Sequence, residues 1–519
     1  MKKFATLFAL LFLFMAVTAN AQERYKAEVF SEVTSNIDFY GSNFTVLTLS
    51  TPLMHTARQP LAMRVYQPVG DTETERPLII YLHTGNFLPF PQNSGCYGTI
   101  NDSSCVEFAT RLAKMGYVVA VADYRLGWNP LATTELVRRF TLINAAYRGV
   151  QDARTCIRFF RKSADVGGNP YKIDPEKIIL WGQGTGGYIS LACATLNNYS
   201  DILNTSEPGK FMLNATTPMI IQPYNGDIYG NPPAPQQHCI VDATYNSFTG
   251  IPIGDTLCSP NHVGYSSDFA MAVNMGGALA DKWWLDAQTP PIVSFHVLTD
   301  PFAPCGDGLV VVPLPPDFPP VVNVTGSCGL QQIIEDDFHT NDIFKKSDDC
   351  NNNVFVQKAN SMNGGRAGFY PFYNTPASPT GGQQSGPWEW AAVPPATANC
   401  NTNSVTARTY IDTIVGYATP LACRALNLCC LVGTEDLIKS EIDLTIAPNP
   451  ASNEVTLTVP SEFLMQGLEL FDASGRLVRS MYGINHSSAI LDRGNLPRGI
   501  YTAKVYFEEG VMARMIVFE

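Results

Sequence analysis

Six residues, Gly182-Gln183-Gly184-Thr185-Gly186-Gly187, restrict the architecture of this chain more than any other segment. Residues 177–181 before them form a short apolar run that predicts a strand, and residues 188–196 after them are small and apolar enough for a buried helix. Strand, tight turn and helix in that order predict an α/β sheet layered by helices. The turn has the outline of GxSxG, in which a serine is held on strained backbone so that its oxygen projects above the sheet. Gly184 stands at the serine position. Glycine takes such backbone without steric penalty, so Gly184 relaxes the turn and removes its chemistry.

The N-terminus carries Lys2-Lys3, an apolar run over residues 4–17, and Ala19-Asn20-Ala21 ahead of Gln22. That layout predicts a cleavable secretory signal over residues 1–21. No cysteine follows the cleavage site, which argues against lipid attachment, and no later apolar run is long enough to span a bilayer. With 45% hydrophobic residues among 519, the chain has material for one large core and a smaller module. A net charge of -12 without a basic cluster argues against nucleic acid or an anionic membrane as partner.

Thirteen cysteines in an exported chain predict disulfides, and the odd count leaves one thiol over. Cys96 with Cys105, Cys239 with Cys258, and Cys305 with Cys328 lie in loop-like surroundings and could close local loops. Cys156 and Cys193 sit in apolar helical stretches and read as buried free thiols.

Along the chain, strands are expected at residues 61–66, 78–82, 117–123, 271–274 and 292–298, with helices at 106–114 and 133–161. Residues 197–268 lose periodicity and fill with Pro, Asn, Gly and Thr, as a lid-like insertion would. The α/β domain is expected over residues 43–436. From 443 to 519 the pattern changes to alternating strands with turn signals, a small all-β sandwich.

The tail carries Ala447-Pro448-Asn449-Pro450-Ala451, then Leu470-Phe471-Asp472-Ala473-Ser474-Gly475-Arg476, then Leu496-Pro497-Arg498-Gly499-Ile500-Tyr501. These three ordered motifs resemble the C-terminal sorting domain of the type IX secretion system. The resemblance implies that residues 443–519 engage that machinery and carry the protein across the outer membrane to the cell surface or medium.

In the larger domain, Leu82-His83-Thr84-Gly85-Asn86-Phe87, then Asp123-Tyr124-Arg125, then the glycine-rich turn are similar to the carboxylesterase branch of the α/β hydrolases. The resemblance covers roughly residues 61–300. It implies an oxyanion hole from the backbone of Gly85 and Asn86 and the amide of Thr185, and a nucleophile position at Gly184. The family has two glycines after the histidine where this chain has Thr84-Gly85-Asn86. The acid maps to Asp300, against the plain alternative that Asp300 caps a turn before Pro301. The triad order then leaves His339 as the candidate base, beside Glu335-Asp336-Asp337, where a solvated charged face is the competing reading. Thr185 is better placed to give its amide than its hydroxyl.

No HExxH, CxxC pair or zinc-spaced His/Cys cluster is present, so neither metal nor cofactor is expected. Three functions remain. The first is an exported hydrolase-fold protein without normal serine hydrolase activity, its pocket kept for a carbonyl, carboxylate or ester ligand. The second is an active ester hydrolase with an unconventional mechanism, and the third a surface protein that adheres to cells or polymer through the insertion.

Overall fold

The computed structural model describes residues 24–48, 54–89, 93, 98–234, 237–312, 318–345, 353–377, 383–391, 400–401, 403–428, 443–472, 476–507 and 511–519. The expected secretory signal and Cys96 lie outside them. The chain divides into two compact units, Met1–Lys346 with Cys350–Cys429, and Ser347–Asp349 with Cys430–Glu519.

The larger unit is built on eight strands: β1 (Val33–Leu47), β2 (His55–Pro68), β3 (Arg76–Leu82), β4 (Val118–Ala122), β5 (Ile173–Gln183), β6 (Met271–Met275), β7 (Ile292–Val297) and β8 (Phe369–Phe372). They lie in the order β1-β2-β4-β3-β5-β6-β7-β8. β1 and β2 run antiparallel to their neighbours, and every pairing from β4 to β8 is parallel. The central strands are apolar on both faces. Leu78, Ile80, Leu82, Ile178 and Leu180 enter one core, while Ile79, Tyr81, Ile179 and Trp181 enter the other. A strand buried on both sides needs a helical layer on each.

Those layers come from four longer helices, α1 (Ser103–Lys114), α2 (Glu135–Asp165), α3 (Thr185–Thr195) and α4 (Ser404–Ala425). α1 buries Cys105, Phe108 and Leu112 at helical spacing, and α4 adds Ile411, Ile414, Val415 and Ala418 to the same core. α2 buries Ala145, Val150, Ala153, Ile157 and Phe160 in the opposite core with α3. The buried Arg125–Asp152 ion pair, 2.8 Å, ties the Asp-Tyr-Arg segment to α2, and Arg125 also donates to the Phe44 carbonyl at 3.1 Å.

The sheet begins at Val33, ahead of the boundary expected at residue 43, because β1 is a strand with a solvent-exposed first half, paired along its length with β2. The region over 197–268 holds short helices at Tyr199–Leu203, Gln222–Asn225 and Ala243–Thr249 and a ribbon of Cys239–Ile240 against Thr256–Cys258. Cys305 and Cys328 form a disulfide as expected, and Cys156 and Cys193 are free and buried. Cys105 is a free thiol buried in α1, so it is not the loop-closing partner expected for Cys96. Cys239 and Cys258 face each other across the ribbon as free thiols.

The smaller unit contains a three-stranded sheet (Thr445–Ala447, Glu454–Thr458, Ser488–Asp492) and a four-stranded one (Met465–Asp472, Leu477–His486, Gly499–Tyr506, Val511–Phe518), both wholly antiparallel. Val455, Leu457, Leu468, Leu470, Val505 and Ile516 form its core.

Candidate functional site

β5 ends at Gln183 and α3 begins at Thr185, so Gly184 alone makes the turn, with φ 55° and ψ -116°. The turn has not relaxed. It keeps the backbone that is costly for any residue with a Cβ and free for glycine. Its glycine neighbours are steric requirements too: a Cβ on Gly186 would run into the Leu82 carbonyl, and one on Gly187 into the Asn274 side chain. The turn is pinned by the Gly184 N–H, which donates to the Met275 carbonyl at 2.7 Å.

Opposite the turn lies the loop after β3, where Gly85, Asn86 and Phe87 take φ of 138°, 58° and 52° in succession. Beneath it, His83 is fully buried. Its Nδ1–H donates to the Thr84 carbonyl at 2.5 Å and its Nε2–H to Asp123 Oδ1 at 3.2 Å. Both partners are acceptors, an arrangement that favours the charged ring. Burial opposes the charge, but the hydrogen bond and the negative charge of Asp123 outweigh it and hold the pKa above the ordinary histidine value. Asp123 thus serves His83. Tyr124 stacks on the His83 ring at 4.7 Å and donates its hydroxyl to the His83 carbonyl at 2.9 Å. The same oxygen then accepts from Thr185 Oγ1 at 2.9 Å, which commits the Thr185 hydroxyl to structure and leaves its amide for the site.

Thr84 is the decisive neighbour of the turn. A Cβ on Gly184 would overlap the Thr84 hydroxyl outright and stop 2.8 Å from Thr84 Cβ. The space that a nucleophile side chain needs at position 184 is therefore occupied by Thr84.

Both residues open onto one cavity of about 180 Å³, together with Asn86, Thr185 and Asp300. Asp300 follows β7, and its Oδ1 accepts from the amides of Phe302 and Ala303 at 2.7 and 3.0 Å. Burial pushes its carboxyl up to about 7, with those two amides pulling the other way. The acid loop is held in turn by the fully buried His296, whose Nε2–H donates to the Ala303 carbonyl at 2.8 Å, and by the Cys305–Cys328 disulfide.

His339 lies elsewhere. It closes the helical turn Ile334–Phe338, is 58% exposed at its side chain, and faces Asp342 at 3.8 Å. Exposed charge, the competing reading, is what surrounds it. Downstream of β8 the cavity wall is made by Ser385, Gly386, Trp388 and Glu389, and no histidine is among the described residues lining it. Glu389 is buried and accepts from Gln183 Nε2 at 2.5 Å. Ser385 and Glu389 escaped the sequence reading, in which Thr84 figured only as a departure from His-Gly-Gly.

Over residues 63–222 the chain matches the BD-FAE family. It carries a BD-FAE domain, an esterase-like α/β hydrolase. Residues 445–519 match the secretion system C-terminal sorting domain, which directs the chain by type IX secretion to the cell surface or extracellular space. Beyond the BD-FAE match, the chain is similar to solved esterases at low identity. One is the propionate-bound thermophilic esterase Est2 from the Planctomycetes species Thermogutta terrifontis, at 14% identity, covering 66% of this chain and 84% of that one, with a TM-score of 0.27. Another is a truncated carbohydrate esterase from gut microbiota, at 14% identity, covering 53% and 80%, with a TM-score of 0.28. No curated protein matches the chain. Among the described residues no helix of the BD-FAE domain or the tail is long and apolar enough to cross a membrane, and no cluster of three or more metal-ligating side chains occurs.

Proposed function

We propose that this chain is an exported esterase-fold protein without serine hydrolase activity, whose cavity binds a carbonyl, carboxylate or ester ligand. The observation that carries this reading is the overlap between Thr84 and any side chain at position 184. A lost nucleophile with its space intact would be one substitution from recovery, whereas here a second residue fills that space. What stays in place are the groups that hold a carbonyl oxygen. The amides of Thr185 and Asn86 have no acceptor among the described residues, and the first opens α3. A carbonyl docked there would be bound without being attacked.

The test is to treat the full chain with a serine-directed fluorophosphonate and with short-chain aryl esters. The expected result is no covalent label and no turnover, with saturable quenching of the cavity tryptophans by the same esters. Labelling would overturn the reading.

A second reading, hydrolysis by an activated water, is favoured by Asp300 alone, a cavity carboxyl with its pKa near 7. Turnover that is insensitive to the fluorophosphonate and lost in Asp300→Asn would select it.

A further inference from the structure

Cys239 and Cys258 stand directly opposite each other across the ribbon of the insertion, both buried. The other free thiols among the described residues, Cys105, Cys156 and Cys193, sit singly on α1, α2 and α3, where burial raises each of them. The opposed pair is in a different electrostatic state. Cys239 donates its S–H to Cys258, which holds the Cys258 thiol below its ordinary value and raises Cys239. Burial opposes charge on Cys258, while the positive charge of Arg125 and the Asn43 Nδ2–H, 4.0 Å from the sulfur, favour it. When it carries its own proton, Cys258 donates to the Gly230 carbonyl at 3.4 Å. A sulfur that favours the thiolate, in hydrogen-bond contact with a second thiol, is the arrangement from which a disulfide forms.

The two sulfurs belong to different parts of the fold. Cys258 is anchored to the large sheet, because the adjoining Ser259 exchanges two hydrogen bonds with Asn43 of β1, donating its N–H at 2.9 Å and accepting at its carbonyl at 3.3 Å. Cys239 is on the outer strand of the ribbon, which has two residues and an exposed Ile240. Between them residues 241–257 fold back as a loop around the short helix Ala243–Thr249, which Asp242 caps. Val241, Tyr245, Ile251 and Leu257 pack there with Val46 alone as a buried apolar partner. So small a core holds its loop weakly. The Cys258 sulfur also abuts Gly226, where a Cβ would stop 2.6 Å from it, and the Gly226 carbonyl accepts the hydroxyl of Tyr147 in the cavity wall at 2.9 Å. A covalent tie at this point therefore secures the loop and the segment that orients Tyr147.

We propose that Cys239 and Cys258 are an oxidation site, joined after export by a disulfide oxidant into a clasp that fastens the insertion to β1. The Cys258 thiolate attacks the S–S bond of the oxidant, forming a mixed disulfide and releasing one thiol. Cys239 then gives up its proton and displaces the second, so two protein thiols are oxidised, one S–S bond of the oxidant is reduced and two thiols leave. Burial of both sulfurs confines the step to moments when the two-residue ribbon is open. The clasp is independent of what the cavity binds.

The experiment isolates the full chain from the periplasm of an expression host and, in parallel, from its reducing cytoplasm. Each sample is alkylated with iodoacetamide in denaturant without prior reduction and digested with chymotrypsin for mass spectrometry. The periplasmic protein is expected to give the Cys239 and Cys258 peptides joined, two hydrogens lighter than the separate pair, with Cys105, Cys156 and Cys193 alkylated; the cytoplasmic protein should give all five alkylated. A second readout is brief chymotrypsin treatment of the folded protein, with cleavage followed at the exposed Phe248. Cleavage should be about tenfold slower for the oxidised protein than for the reduced one, and Cys239→Ser should be cut at the reduced rate from either compartment. Alkylation of both thiols in the periplasmic protein, or a bond from either to a third cysteine, would overturn the site. Equal cleavage of oxidised and reduced protein would overturn the clasp.

Discussion

Thr84 and Gly184 have to be considered as a pair, because each defines what the other can be. Gly184→Ser alone places a Cβ on backbone that costs about 1–3 kcal/mol for a non-glycine residue and forces Thr84 aside at a further cost of about 1–3 kcal/mol. Thr84→Gly with Gly184→Ser should recover the second cost and keep the first. Chemical denaturation of the two variants and the parent measures the difference, and neither variant should gain ester turnover without a histidine in the cavity wall. Asp300 gives a pH-dependent expectation. Its pKa is raised from the ordinary carboxylate range to about 7, so its contribution to stability is full below the unfolded value and is lost as pH rises through 7. Asp300→Asn keeps an oxygen for the Phe302 and Ala303 amides. It should stabilise the fold by about 1–2 kcal/mol more at pH 8 than at pH 5. Urea titrations at the two pH values test this. Ester affinity should fall over the same range in the parent and not in the variant. The titratable side chain that senses Asp300 inside the cavity is Tyr188, whose pKa burial carries far above its ordinary value.

At the scale of elements, the loop from β7 to Cys305 is the piece of the site that depends most on its supports. The Cys305–Cys328 disulfide spans a sequence separation of 23 residues, and its replacement by two serines should cost about 3 kcal/mol by the loop-entropy model. Thermal unfolding of the double variant checks the figure. His296 supports the same loop as a neutral ring, since Nε2–H donates to Ala303 and Nδ1 accepts from the Ser327 hydroxyl at 2.9 Å. Burial lowers its pKa to about 4. Its share of stability is therefore present above pH 6.5 and is lost as pH falls towards 4, at up to about 1.4 kcal/mol per pH unit. His296→Phe should flatten that part of the acid-denaturation profile. Much of this architecture was legible in advance. The apolar runs of β3, β5, β6 and β7 and the turn at Gly184 announce themselves locally, and alternation with helices gives the parallel sheet. β1 was missed because its first half is exposed, with Ile37 and Phe39 themselves on the surface, so its apolar residues do not mark a buried face. β8 was missed because Pro371 argues against a strand, and the sheet tolerates it because β8 is at the edge. The interlock of Thr84 with Gly184 depends on spatial closeness across a hundred residues of sequence, which no local pattern carries. His339 satisfied the triad's chain order, and order says nothing about which end of the sheet a residue reaches.

For the whole molecule, the sorting domain and the esterase-like domain make separable demands. Deleting residues 443–519 should leave the chain inside the cell envelope, with the ester affinity of its cavity unchanged; fractionation and ligand titration of the truncated protein test the two halves of that statement. The crowding at position 184 also ties what that position can hold to position 84. A serine placed there while position 84 stays threonine meets the Thr84 side chain, and shrinking position 84 alone removes the atoms that fill that space. Under the reading proposed above the glycine turn acts as an interlock, in which a serine fits position 184 only when position 84 changes with it.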